Sequence, residues 1–506
     1  MRKLLTGILF FSLSVINGHT QTIDTVNAAL QEQFSPATGL RDGFFDAPAL
    51  KSFQRNFDYA RVSTAYFNKQ DDIFIPQKGK GRKGFYVDAS SYYKNKNRLT
   101  LWGNANYSNQ TAIKVKYNES LDYDLIYPYV MADSVGGDIK MESYAISGGL
   151  AKKIGKVYYG LTTGYVGVQN YRDRDPRPNN ISSDINAALS AAISVNKQYK
   201  LAFNIQGNKY NQRNRLSFEN ELGYPLVYHD AGLGAYNTML AGNRVVAYVN
   251  ATAWSPVIHL VTTKEKGFLF KTGYHQLALQ KRLDDINENI ATASEDHFFI
   301  DLGYVKNAEH TTWLLQMNAG VKNRKGTEAV FNNTGGVYGY QKIAERQSFS
   351  DDIKEIGLKA VYEKRYTAYA WSAGATGLFT QQETRYANPL RTLSYTGFVV
   401  SGFMNGTVNL KKSTLRGRFD IVKRFVNDVT YSWPDVQPAT GITDMLNKTH
   451  RFYASSFYSL NPSLNFSRPV STTLVLYCDI SGRFTRYDVP QNNTGKEFIV
   501  AIGLSF

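Results

Sequence analysis

The chain has 506 residues, a formal net charge of +16, and 35 Tyr and 29 Phe against only 14 Pro. A mean hydropathy of −0.36, with no apolar run beyond Leu4–Ile16, excludes a helical membrane bundle, in which each span needs about 20 apolar residues. The lone Cys478 excludes an internal disulfide and a multi-cysteine zinc site.

The chain opens with an export signal. Arg2 and Lys3 precede the apolar stretch Leu4–Ile16, and Gly18 and Thr20 supply small residues for cleavage before Gln21. Residues 1–20 are therefore expected to be a signal peptide. Residues 21–57 run from Thr22–Leu30 into a turn-rich stretch with Pro36, Gly39 and Gly43. They are too few for an independent plug domain and fit a short periplasmic or lumen-inserted segment.

From residue 58 to 506 one theme repeats. Segments alternate apolar and polar residues, as a strand does when its successive side chains face opposite ways. In 414–425, Leu415, Phe419, Ile421 and Phe425 share one face, and Thr414, Arg416, Arg418, Asp420 and Arg424 the other. Segments 185–195, 200–210 and 311–323 show the same pattern. The breaks alternate in length: short ones near 95–97, 153–155, 197–198, 255–265, 307–309, 365, 412–413 and 462–471, with long ones between. Short periplasmic turns and long extracellular loops mark an outer-membrane barrel.

The predicted strands are 58–69, 84–94, 98–109, 140–152, 156–171, 185–196, 199–211, 243–254, 266–280, 296–306, 310–323, 352–364, 366–380, 397–411, 414–425, 450–461, 472–486 and 496–506. That gives a closed, antiparallel, all-β transmembrane barrel of about eighteen strands. Sixteen or fourteen remain if a hairpin or two is misread, and 266–280 and 397–411 alternate poorly. Loops 110–139 and 212–242 have room to fold inward as a constriction or outward as a platform for a partner.

The last segment carries Phe498, Val500, Ile502, Leu504 and the terminal Phe506 on one face. This resembles the terminal-aromatic signal read by outer-membrane assembly machinery. The approach to the first strand, FFDAPALKSF (Phe44–Phe53), and the chain's general texture resemble an uncharacterised family of Bacteroidota outer-membrane β-barrels, a domain of unknown function. Phe45–Leu50 is faintly similar to the NPA-containing N-terminal segment of fatty-acid-transporter-like barrels, with Asp46–Ala47–Pro48–Ala49 departing from that motif at the Asn. The resemblance implies a multi-pass barrel in the outer membrane and assigns no activity to any residue.

Catalytic signals are weak. Gly79–Gly84 matches a phosphate-binding glycine pattern, but a strand-like segment follows where a helix is required. Lys78, Lys80, Arg82 and Lys83 read as a solvated basic loop, or as contacts for lipopolysaccharide phosphates. His297 and Asp301 share a strand face but sit about 13 Å apart. His229–Asp230 falls in a loop. No enzyme, metal or cofactor is expected.

The lumen is the expected functional surface. Arg416, Arg418, Asp420, Arg424, Asp479, Arg483 and Lys359 lie on polar faces. They form either cross-strand ion pairs or a cation-lined wall that attracts anions. The expected role is passing or binding small, anionic solutes. The alternative is a non-conducting accessory barrel docked with a surface lipoprotein or a larger receptor. The expected partners are outer-membrane lipid, lipopolysaccharide and the assembly machinery, and nucleic acid is not among them, because the basic residues form no recognition module.

Overall fold

The computed structural model describes residues 32, 34–95, 99–220, 223, 225–242, 244–333, 340–366, 368–410, 412–434, 436, 441–471, 473–490 and 493–506. The expected signal peptide, residues 1–20, lies outside them.

The polypeptide forms one closed antiparallel barrel of eighteen strands. In chain order these are β1 (Tyr59–Asp71), β2 (Gly81–Lys94), β3 (Leu99–Val115), β4 (Gly137–Ile154), β5 (Val157–Tyr171) and β6 (Arg177–Ser194). Next come β7 (Tyr199–Ser217), β8 (Val246–Thr262), β9 (Lys266–Leu283), β10 (Glu288–Asn307), β11 (Thr311–Asn333) and β12 (Tyr340–Arg365). The last six are β13 (Tyr369–Ala387), β14 (Leu390–Leu410), β15 (Ser413–Ser432), β16 (Phe457–Pro469), β17 (Val475–Tyr487) and β18 (Thr494–Ser505). Each strand pairs with its sequence neighbours. The ring closes where β1 meets β18, from Arg61 opposite Ser505 to Asp71 opposite Gly495. Phe506 completes the seam, its N–H donating to the Ala60 carbonyl at 2.8 Å. No described helix is long and apolar enough to cross a membrane. Closure satisfies the backbone without water, as a membrane-spanning sheet must.

The faces follow the alternation. Leu415, Phe419, Ile421 and Phe425 are exposed on the outside, as are Leu189, Phe203, Trp313, Leu315, Phe498 and Ile502. Such a belt of exposed apolar side chains has lipid as its natural solvent. Near the short turns Trp313, Tyr362 and Trp371 form a chain of ring contacts at 4.5 and 5.2 Å, the kind of aromatic girdle that sits at a bilayer surface.

Several strands run past their predicted ends. β11 and β12 extend through much of the break expected at 324–351, and β15 reaches Ser432. Above the bilayer the outer face meets water, so apolar alternation fades while the ladder continues. The strand expected from residue 450 is corrected. Helix α3 (Ile442–Ala454) occupies its first turns, and β16 begins only at Phe457. Ile442, Met445 and Leu446 are the helix's buried residues, at the spacing of one helical face. The break expected at 255–265 is shorter too, because β8 runs through Pro256 to Thr262.

Candidate functional site: a lumen closed at both mouths

Residues 34–57 fill the periplasmic mouth. Helix α1 (Pro36–Asp42) starts at Ser35, whose Oγ accepts from the Thr38 N–H at 3.2 Å and donates to Glu363 of β12 at 2.6 Å. Behind it Phe44, Phe45, Ala47, Ala49 and Leu50 are buried against inward wall residues that include Ala192, Ala202, Val261 and Leu269. The wall is small where the segment is bulky. A Cβ at Gly160 would lie 2.2 Å from the Ala49 nitrogen, and one at Gly303 would lie 2.9 Å from the Phe44 ring.

Polar contacts orient the same segment. Asp46 Oδ2 lies 2.5 Å from Lys271 Nζ, and its Oδ1 lies 3.6 Å from His259 Nδ1. The Ala49 N–H donates to Ser190 Oγ at 2.6 Å, and the Tyr92 hydroxyl donates to the Lys51 carbonyl at 2.7 Å. Asp46, in the stretch that departs from the family motif, thus adds a polar contact between plug and wall.

The extracellular mouth is closed by the two longest expected loops, the first carrying the short helix α2 (Tyr123–Ile126), and they fold inward. Met131–Ala132 pairs with Tyr228–Gly232, which pairs in turn with Ala235–Tyr236, making a small sheet inside the barrel. Ile126, Tyr129, Val130, Ala231 and Leu240 pack on inward residues such as Val249, Leu277, Leu279 and Ala293. Helix α3 joins them, with Ile442, Met445 and Leu446 against Tyr117, Tyr228 and Leu393.

This end also buries charge. Arg172 Nη2 donates to Glu119 Oε1 at 2.8 Å and lies 3.9 Å from Asp133. Burial, and then the neighbouring Asp133, hold the Glu119 carboxyl well above the usual range. Arg324 bonds Glu295 and reaches the carbonyls of Asp124 and Tyr127 at 3.1 and 2.7 Å. Tyr210 donates to Asp122 at 2.7 Å. His229 and Asp230, read in the sequence as an ordinary loop pair, are buried here. Burial lowers the His229 imidazole and raises the Asp230 carboxyl to about 6.

Between the closures the inward side chains are polar and keep contact with water. Gln206 and Glu355 are exposed, and Asn186, Asn208, Asn318 and Thr376 are partly so. At this height Ser255 Oγ lies 2.7 Å from His275 Nδ1, and His275 faces His297 across β9 and β10. Asp301 accepts instead from Gln316, at 3.3 Å.

The arginines of the C-terminal arc project inward but share their charges. Arg418 grips Asp420 at 2.8 and 2.6 Å and stands over the Phe403 ring at 4.1 Å. Arg483 binds Asp71 at 2.9 and 3.1 Å and Glu497 at 3.1 Å. Arg416 donates to Asn465, which donates to Asp479. Arg424 serves the fold rather than the chamber. It donates to the carbonyls of Phe452 and Tyr453 at the end of α3, where a cation suits the helix dipole. Lys359 makes no ion pair within 4 Å among the described residues. The basic run by β2 is also tied down, with Lys78 on Asp124 at 2.6 Å and Lys80 on Asp72 at 3.0 Å.

A lipid-facing belt, a ring without edges and a lumen filled from both ends define an outer-membrane β-barrel with built-in closures. The chain belongs to a family of unknown function, DUF6850, whose model matches residues 48–506. No curated protein matches it. Among solved structures it is similar to the open form of the ferric-catecholate import receptor Fiu of E. coli K12. There the identity is 8% over 89% of this chain and 82% of that one, with a TM-score of 0.41. It is also similar to the siderophore receptor PiuA of Acinetobacter baumannii, at 7% identity over 89% and 82%, with a TM-score of 0.39. The copper transporter OprC gives 10% identity over 89% and 81%, with a TM-score of 0.37. At this distance the likeness is one of barrel architecture and says nothing about solute.

Proposed function

We propose that the protein is a gated outer-membrane barrel that admits or holds small polar solutes in the chamber between its two closures, without chemistry of its own. One observation carries this reading: segments of the chain itself fill both mouths, while the inward face between them stays polar and wet. A barrel serving only as scaffold gains nothing from a hydrated chamber.

Selection is placed in hydrogen bonding by the Asn, Gln, Ser and Thr of the inner face. The paired arginines leave little unshared positive charge on their arc, so an anion preference would act through Lys359. Planar-bilayer recording separates the readings. The full chain should stay near closed, and Gly160→Leu, which drives Pro48 and Ala49 off the wall at one mouth, combined with Gly326→Leu, which drives Tyr129 off it at the other, should open a conductance. Reversal potentials then show whether anions are favoured. No conductance in either protein would leave the accessory barrel, docked with a lipoprotein or larger receptor.

A further inference from the structure

The seam between the extracellular closure and the wall holds a cavity of about 20 Å³. The inward loops contribute Tyr129, His229, Asp230 and Asn237 to its lining, and the wall contributes Lys281 and Glu328. Lys281 is fully buried, and its ammonium has no hydrogen-bond partner among the described residues. It also makes no ion pair within 4 Å there. An ammonium group offers three donors, and taking it out of water with none of them satisfied is among the costliest arrangements a fold can hold. The Tyr129 hydroxyl, buried beside the same cavity, is unsatisfied too.

We propose that this cavity is a binding site for one compact monovalent anion, chloride- or formate-sized, held by the Lys281 ammonium and the Tyr129 hydroxyl. A single water needs roughly 10–15 Å³, so the space takes one small ion and excludes larger carboxylates. Both acids in the lining hold one hydrogen bond, while Glu328 Oε1 has no partner among the described residues. Asp230 accepts from the Gly232 N–H at 3.0 Å, and Glu328 accepts from the Tyr386 hydroxyl at 3.2 Å. Burial raises the Asp230 carboxyl to about 6 and lowers the Lys281 amine to about 7, so at mildly acidic pH the amine stays charged while the acid's repulsion of an incoming anion weakens. Because loop and wall each supply one of the two donors, a bound anion fastens the extracellular closure to β9. The site stands whether or not solutes pass through the barrel.

The test compares purified full-length protein in chloride, formate and gluconate at equal ionic strength, reading protease cleavage within residues 225–242. Chloride and formate should slow cleavage severalfold relative to gluconate, which is too large for the cavity. Lys281→Met should abolish that difference, and Lys264→Met, in a turn at the opposite mouth, should keep it. If Lys281→Met fails to fold, a bromide-soaked crystal of the wild type decides, with an anomalous peak expected beside Lys281 and Tyr129. Equal cleavage in all three salts, an anion effect that survives Lys281→Met, or a cavity holding only water would overturn the assignment.

Discussion

Asp46 and Lys271 meet at 2.5 Å across the boundary between plug and wall, yet this contact is not what holds the plug in place. Asp46 is about half exposed, and an exposed ion pair contributes about 0.2–1 kcal/mol. Phe45 is fully buried at the same boundary, and removing a buried Phe side chain costs about 3–5 kcal/mol. Lys271→Met should therefore leave residues 34–57 nearly as protease-resistant as in the wild type. Phe45→Ala should expose them while the barrel stays intact. The reverse order would mean that charge, not packing, seats the plug.

Ile421 faces lipid and Arg418 faces the chamber, three residues apart and so on opposite faces of β15. Ile421→Arg puts a charge in hydrocarbon and should cost roughly 2–4 kcal/mol near mid-membrane. Arg418→Ile strands Asp420, but both groups keep some access to water, so the loss should be smaller. Urea titration of protein folded into lipid vesicles gives both values. A larger cost for Arg418→Ile would contradict the register.

Protonation should tighten the extracellular closure. The Glu119 carboxyl is raised well above its ordinary 4.5, chiefly by burial. A group whose pKa is raised on folding stabilises the fold fully below its unfolded value and loses that contribution as pH climbs through the folded one. Amide protection factors in residues 117–133, corrected for the intrinsic rise of exchange with pH, should thus be highest below about pH 4.5 and fall as pH rises past the elevated value. Glu119→Gln mimics the neutral acid and should flatten the profile. A profile that stays steep in the variant would point to another group.

Deleting Phe506 removes two backbone hydrogen bonds to Ala60 at the seam, worth about 0.5–1.5 kcal/mol each. Refolding into detergent should survive that loss. Insertion in cells should fail if the terminal aromatic is a signal to the assembly machinery. Equal damage in both settings would make the residue structural only.

Most of the strands could be read from the sequence because a lipid belt imposes apolar residues at every second position, as in 414–425. The parts governed by other rules were harder to see. Ile442, Met445 and Leu446 carried a helical period inside a stretch read as loop and strand, so that signal was present. Lys281 gave none. It sits where β9 leaves the bilayer, and it is buried by His229 and Asp230 of the inward loop that precedes β8. The carboxylates that the inner arginines meet were legible only where they lie close in sequence, as Asp420 does to Arg418. Asp71 meets Arg483 only because the first strand closes against the last.

The two closures differ in how they join the wall. Residues 34–57 enter it at one end only, at β1, whereas the inward loops are fastened at both ends, between β3 and β4 and between β7 and β8. Tension along the chain from the periplasmic side can draw the first out one residue at a time, like a thread from a sleeve. No pull can extract the second pair. They can only swing about their own strand ends, so opening the outer mouth takes a rotation and not a pull.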